Sequence, residues 1–553
     1  MFASTTKRTA GILVAAVAGL AAQPVFAQAP FIVYRGVLNA ASFMPAGLPG
    51  GPIAQGSIFT IFGAHLGPAS SPSLSYPLQT TLGGVSITVS NATASVDAIP
   101  IYVSPSQLNA VMPSNAPLGL VSVRVQFNGA SSNPAPIQVT TTSFGIFTAT
   151  GAGIGPGVLM NFVSPAVQPV NSLSQPAKPG QVLTLWGTGL GPVTFPDDGA
   201  PIAGNLPART EVFVGGQPAT ILYHGRSPCC AGVDQVVLQV PANAPTGCWV
   251  PVSVRTAGTV VSNFVTIAIS SSGSACSDPA NPIGGAFAQG GNLGVLLAGR
   301  VSVHDDVAVL QPVDTTTDLA AAWFDKQQRL PFAFNPLLSL PPAGSCTAYG
   351  SPATGLLPGA VPVNPLTPGS VSIAGSSGSK SLYPLAAPGT LSSILGSALL
   401  SLSDLFLSPG SFTLSGLAST AIAAFEAVVN MPQPLSWTNR GQIANLVRAS
   451  GLTVNWTGAS FNQSVFVYGL GTDLPTNSSY SFLCRANPGD SSFTVPPTVL
   501  ANLPPTRAQL TQSLAAVYVG QWPIANPVLF TASGLDFGSA VAASVQGTTV
   551  VIQ

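Results

Sequence analysis

Six cysteines, three histidines and two glutamates carry most of the chemistry this 553-residue chain could offer. A hydrolase needs an activated nucleophile with a base in reach. The histidines are His65, His224 and His304, and no Gly-x-Ser-x-Gly elbow accompanies them. His65 falls in a turn and reads as a turn residue. A glycosidase needs two carboxylates flanking a bond. Glu211 and Glu426 are the only glutamates, and Glu211, at the head of a strand-like run, reads as exposed. Asp197-Asp198-Gly199 reads as a turn. His304-Asp305-Asp306 with Asp314 and Asp318 is the densest polar group, and oxygens of this kind are what Ca²⁺ takes. It lacks an Asp-x-Asp-x-Asp-Gly loop, so the expected reading is a solvated loop. No catalytic, cofactor-binding or metal-binding set is assigned.

Cys229, Cys230, Cys248 and Cys276 cluster, while Cys346 and Cys484 stand apart. All six are disulfide candidates, and six cysteines allow about 15 pairings. Spacing pairs Cys346 with Cys484 and leaves the other four open. A zinc site is disfavoured, because there is no Cys-x-x-Cys pair and His224 is the only histidine nearby. Trp437, Trp456, Trp249 and Trp522 are candidates for a sugar-stacking platform. On half-buried strands the default place for such rings is the core.

The elements that must position these residues are strands. Hydrophobic residues make up 46% of the chain and charged residues only 6%, with 58 Gly and 53 Pro. Solvated amphipathic helices need charged outer faces that this composition cannot supply. Short strands rich in Val, Ile, Thr and Phe between Gly/Pro turns suit it. Net charge is zero with no basic cluster, so nucleic-acid binding lacks its electrostatic footprint. Lys7 and Arg8, the apolar run Gly11 to Ala22, and Val25-Phe26-Ala27 before Gln28 read as a signal peptide over 1–27, cleaved between Ala27 and Gln28. The apolar run is too short to span a bilayer, and no transmembrane span is expected in the mature chain. Secretion or display at the cell surface follows.

One stretch occurs twice. Gly56-Ser57-Ile58-Phe59-Thr60-Ile61-Phe62-Gly63 leads to Leu66-Gly67-Pro68, and Gly180-Gln181-Val182-Leu183-Thr184-Leu185-Trp186-Gly187 leads to Leu190-Gly191-Pro192. Phe62 and Trp186 hold the same position, expected in the core. His65 is matched by Gly189. After each copy the same strands recur in order. Gly84 to Val89, Ile101 to Asn109 and Val121 to Gln126 are answered by Thr210 to Val214, Ile221 to Tyr223, Asp234 to Pro241 and Val252 to Arg255. Strands at such spacing predict antiparallel sandwiches. Between Tyr223 and Gln235 the second copy is longer, and the extra residues hold Arg226-Ser227-Pro228-Cys229-Cys230.

The two copies resemble immunoglobulin-like domains of the IPT/TIG class. Asn39-Ala40-Ala41-Ser42-Phe43 and Tyr102-Val103-Ser104-Pro105-Ser106-Gln107-Leu108-Asn109-Ala110 also resemble a domain found in many exported proteins of acidobacteria. The resemblance covers roughly Val37 to Ser270. It implies an exported sandwich used for binding or spacing, and it implies no catalytic residues. The expected architecture is mostly β: sandwiches over 34–143 and 166–270, a Ser/Gly/Pro linker over 271–282, and a larger β-rich domain over 283–553. In that last region 355–378 reads as loop, while 391–407 and 418–429 are ambiguous between helix and strand. The expected function is a non-enzymatic extracellular interaction or adhesion protein with an unspecified protein or polysaccharide partner. The alternative is carbohydrate binding through the C-terminal domain.

Overall fold

The computed structural model describes residues 29–44, 50–151, 153–276, 281–305, 313–327, 334, 340–341, 343–349, 364–384, 390–397, 405–460, 464–473, 478–506, 515–521, 523 and 526–553. The stretch read as a signal peptide, with Ala27 and Gln28, and the residues Asp306 and Trp522 lie outside them.

The chain is mostly β, and its first two units are sandwiches. In the first, Phe31–Asn39, Ile58–Ala64 and Gln107–Val111 form one layer, and Val85–Ser90, Gly119–Phe127 and Ala135–Thr140 the other. Ser95–Val103 belongs to both. Its first half pairs with Val85–Ser90 and its second half with Gln107–Val111; it changes layers between Ala98 and Ile99, just ahead of a bulge between Pro100 and Tyr102. Alternation fills the space between layers. Val85, Ile87 and Val89 point in while Ser86, Thr88 and Ser90 point out. Phe59, Ile61, Leu108, Val123 and Val125 join them in the core.

The second sandwich repeats this plan. Gln217–Arg226 pairs first with Thr210–Val214 and then with Asp234–Gln239, again with a bulge just after the changeover. Its sheet also takes in Gly145–Ile146 and Leu159–Asn161, upstream of residue 166 where the repeat pattern begins. Those short strands lack the length and alternation that mark a strand in sequence.

Parity corrects one expectation. Leu183 and Leu185 face the second core, so Trp186 one residue on faces outward, half-buried. Phe62 is buried, as expected, but on the strand face away from the first sandwich's inter-layer core. It is covered by Phe43, ring centroids 5.8 Å apart. The two positions correspond, but on the outer face of the strand.

The C-terminal unit is built on one ten-stranded sheet. Gly291–Asp305 pairs antiparallel with Val313–Gln327 and parallel with Phe537–Thr549. One half of the sheet packs on the four-stranded sheet of Gly378–Ser381, Val371–Gly375, Gly410–Gly416 and Phe425–Met431, around Phe324, Phe412 and Phe425. The other half packs on Ser436–Trp437, Leu452–Thr457 and Ser492–Val495, around Trp437, Trp456 and Phe482. One sheet thus serves two cores. Val371–Gly375 lies inside the stretch read as loop and forms a hairpin with Gly378–Ser381, which starts at its last residue. In the two ambiguous stretches the described elements, Thr390–Ser397 and Phe425–Met431, are strands. The latter alternates buried and exposed residues from Phe425 to Met431. A helix, Pro282–Gln289, opens the unit, capped by the Asn281 side chain accepting from the Gly284 N–H at 3.0 Å. Among the described residues no helix is long and apolar enough to cross a membrane.

Candidate functional site

The polar residues singled out in the sequence are dispersed. Glu211 faces Arg255 on the neighbouring strand and accepts from Nε at 2.9 Å and Nη2 at 3.0 Å. That pairing holds its carboxyl below the usual range. Arg255 lies over the Phe213 ring. His65 is exposed in the left-handed region, φ +56°, where its counterpart Gly189 has φ +111°. Asp197 and Asp198 do form a turn, closed by the Gly199 N–H donating to the Pro196 carbonyl.

Of the group read as a solvated loop, the described members His304, Asp305, Asp314 and Asp318 lie on two paired strands instead. His304 lies opposite Asp314 across the hairpin, Nδ1 to Oδ1 3.0 Å, and Arg440 Nη2 reaches the same Oδ1 at 2.9 Å. Asp305 accepts from the Thr549 hydroxyl. Buried Asp318 accepts bidentately from Arg300, at 2.7 and 2.9 Å, and from the Leu407 N–H. Cross-strand geometry sends each carboxylate to a different partner. Trp437 and Trp456 pair across two strands inside a core. Trp249 packs with Phe466 and Leu483 between the second sandwich and the C-terminal sheet. Trp437 and Trp456 are buried and offer no stacking face, while Trp249 is half-buried.

Disulfides join Cys229 to Cys230, Cys248 to Cys276, and Cys346 to Cys484. The last links strands in direct register. Cys276 lies in the segment read as a linker, so that segment is fastened back onto the second sandwich. The inserted loop has a clear place as well. Cys229 and Cys230 are exposed, while Ala231 and Val233 pack against Ile58, Ile99 and Val111 of the first sandwich.

What the fold brings together is a junction. The buried Asn39 amide donates to the carbonyls of Ser143 and Thr188, and its Oδ1 accepts from the N–H groups of Ala41 and Ser42. The Ile58 N–H donates to the Thr188 hydroxyl at 2.8 Å, which donates to the Gly232 carbonyl at 2.6 Å. Asp197 accepts from the N–H and hydroxyl of Ser114 at 2.7 and 2.8 Å. Beside this seam Arg226 and Asp234 form an ion pair, 3% and 0% exposed, with Nη1 and Oδ1 3.0 Å apart but poorly aligned for a hydrogen bond. Asp234 also accepts from the N–H groups of Gly189 and Leu190, both at 2.8 Å. Burial pushes its carboxyl up to about 6, against the pull of Arg226 and those two donors.

Sequence reasoning missed a paired clamp. The Ser132 hydroxyl accepts from the Val125 N–H, and the Ser262 hydroxyl from the Val254 N–H. Asn133 then grips both backbone groups of Ile32, and Asn263 both of Ile146. Asn263 adds a bond to the Gly153 carbonyl. The signal was the Ser-Asn dipeptide recurring after corresponding strands.

Where the two sandwiches meet the C-terminal unit lies a cavity of about 370 Å³. The turn Ser42–Phe43–Met44 gives one wall, Ile154 and the hairpin 259–264 a second, Cys346 to Ala348 with Thr498, Val499 and Asn502 the third. Gly153 has φ +75°, and a Cβ there would collide with the Ser42 carbonyl, so only glycine lets the walls close. No lining residue ionises. Among its described lining residues there is no general acid or base.

In comparisons with solved structures the chain is similar to the plexin A4 extracellular region (14% identity, 43% of this chain, 18% of that one, TM-score 0.16). It is similar to domains 5–6 of the S-layer protein SbsC (11% identity, 43% of this chain, 98% of that one, TM-score 0.16). It is also similar to SGBP-B from a xyloglucan utilization locus in Bacteroides uniformis (9% identity, 84% of this chain, 96% of that one, TM-score 0.15). TM-scores this low do not equate the molecules, and the chain spans only 18% of the plexin's length. No curated protein matches the chain. Residues 45–141, within the first sandwich, match the family model of the IPT/TIG domain.

Proposed function

We propose that this chain is an exported, non-enzymatic interaction or adhesion protein, held at the cell surface or released, in which the two sandwiches act as rigid spacers. The observation that carries the reading is where the polar side chains go. Asn39, Ser114, Asp197 and Thr188 are spent joining the first sandwich to the second. Glu211, Asp234 and Asp318 are spent on arginines inside single domains. Groups locked in this way hold modules at a fixed angle, which suits a spacer. Three disulfides support an oxidising compartment, and the IPT/TIG match at 45–141 supports an interaction module.

The test is to fractionate cells, block free thiols and locate the chain. It is expected in the envelope or the medium with all six cysteines protected from alkylation. A cytoplasmic chain with alkylated cysteines would overturn the reading. Mature chain coated on beads should then retain purified envelope protein or polysaccharide. Bare beads retaining as much would remove the adhesive part.

A further inference from the structure

We propose that the cavity between the two sandwiches and the C-terminal unit is a binding site for an uncharged, mainly apolar small molecule carrying one or two hydrogen-bonding groups. This goes beyond the spacer reading and stands or falls apart from it.

Three observations lead there. The cavity's volume, about 370 Å³, and its place between domains are those of small-molecule sites. Its lining sets the chemistry. Phe43, Met44, Ile154, Val261 and Val499 give apolar surface, and Phe264 stands 63% exposed among the lining residues. With no ionisable side chain among the described lining residues, a charged ligand would lose water and gain no counter-charge, which disfavours it. Polar capacity is present but limited. Asn263 is spent on Ile146 and Gly153, and the Ser262 hydroxyl on Val254 and Asn263. The hydroxyls of Thr259, Thr347 and Thr498 are among the groups that can orient a ligand.

The third observation is that every wall is independently fixed. Asn39 sets the turn at Ala41 and Ser42, Asn263 holds the loop at Gly153, and the Cys346–Cys484 bridge holds the strand Ser345–Tyr349. A void with unfastened walls would collapse to recover lost dispersion contacts. Walls held from behind keep the space open, so a ligand meets a formed site and little ordering opposes its binding.

The probe is N-phenyl-1-naphthylamine, uncharged at neutral pH and brighter out of water, titrated into the full mature chain with its disulfides intact. Saturable one-to-one binding is expected. Thr259→Trp and Thr498→Trp put an indole into the cavity from opposite walls, at exposed positions where folding tolerates it. Each should weaken binding by about tenfold or more with Tm unchanged, whereas Leu120→Trp, on an outer face, should leave it alone. The anionic relative 8-anilino-1-naphthalenesulfonate should bind about tenfold more weakly than the neutral probe. Non-saturable uptake, equal binding by both blocked variants, or preference for the sulfonate would overturn the proposal.

Discussion

The two sandwiches solve one turn in two ways. After the repeated strand of the first, the Leu66 N–H donates to the Pro105 carbonyl, backbone to backbone. After that of the second, the Leu190 N–H donates to the carboxylate of Asp234, which also takes the Gly189 N–H. The inserted loop ends at this point, and a side chain does what a carbonyl does in the first copy. The substitution has a cost the first copy avoids, because a charge is buried and Arg226 must be buried with it. In return the loop gains Ala231 and Val233, which seat the second sandwich on the first. A local solution has been exchanged for one that also joins domains.

The largest expected effect breaks that difference. Arg226→Met leaves Asp234 buried and unpaired and should cost the second sandwich about 3–5 kcal/mol. Hydrogen exchange at the strand Val182–Thr188 would read it, and a loss below about 1 kcal/mol would mean the pair is not what holds the turn. Next is pH. Folding raises the Asp234 carboxyl from 3.8 to about 6. The folded state therefore binds this proton before the unfolded state does. The contribution is fully present below pH 3.8, fades as pH rises through 6, and spans about 3 kcal/mol. The second sandwich should tighten relative to the first as pH falls from 7 to 4. Asp234→Asn should flatten that difference, and an unchanged slope in the variant would assign it elsewhere.

Smaller changes sharpen the comparison. Asn263→Ala removes three bonds at a buried site and should cost about 2–3 kcal/mol, against about 1 for Asn133→Ala, which removes two at an exposed one. Equal losses would show that burial does not set the value of the clamp. Least affected should be Cys229→Ser with Cys230→Ser. A disulfide's stabilisation grows, slowly, with the length of loop it closes, and adjacent residues close almost none, so the change should stay within about 1 kcal/mol. A larger loss would mean that the bridge itself shapes the seat for Ala231 and Val233.

The strands of both sandwiches were legible because their outward residues are small and polar and their turns carry Gly and Pro. Val85 to Ser90 alternates in sequence as it does in space. Ring size misled at Trp186. A large apolar side chain suggests a core, but its face is decided by whether it sits an odd or even number of residues from Leu185. Val313–Gln327 carries Asp318 and a run of alanines, a poor strand by composition. It forms because Arg300 meets Asp318 and because Ala320 and Ala322 let the facing layer come close. The cavity had no sequence signal. Its walls come from segments more than 450 residues apart, and none of them signals a pocket by itself.

The parallel ladder of the C-terminal sheet has a mechanical meaning. Leu293 to His304 lies beside Phe537 to Thr548, so the strand that opens this unit is bonded side by side to the long strand near its close. Tension applied at the unit's two ends would slide these strands past each other and load the rungs together. A hairpin pulled at its open end breaks one rung at a time. A tethered chain under flow or traction would therefore carry the load in shear across this ladder, and its weak points would lie elsewhere along the molecule.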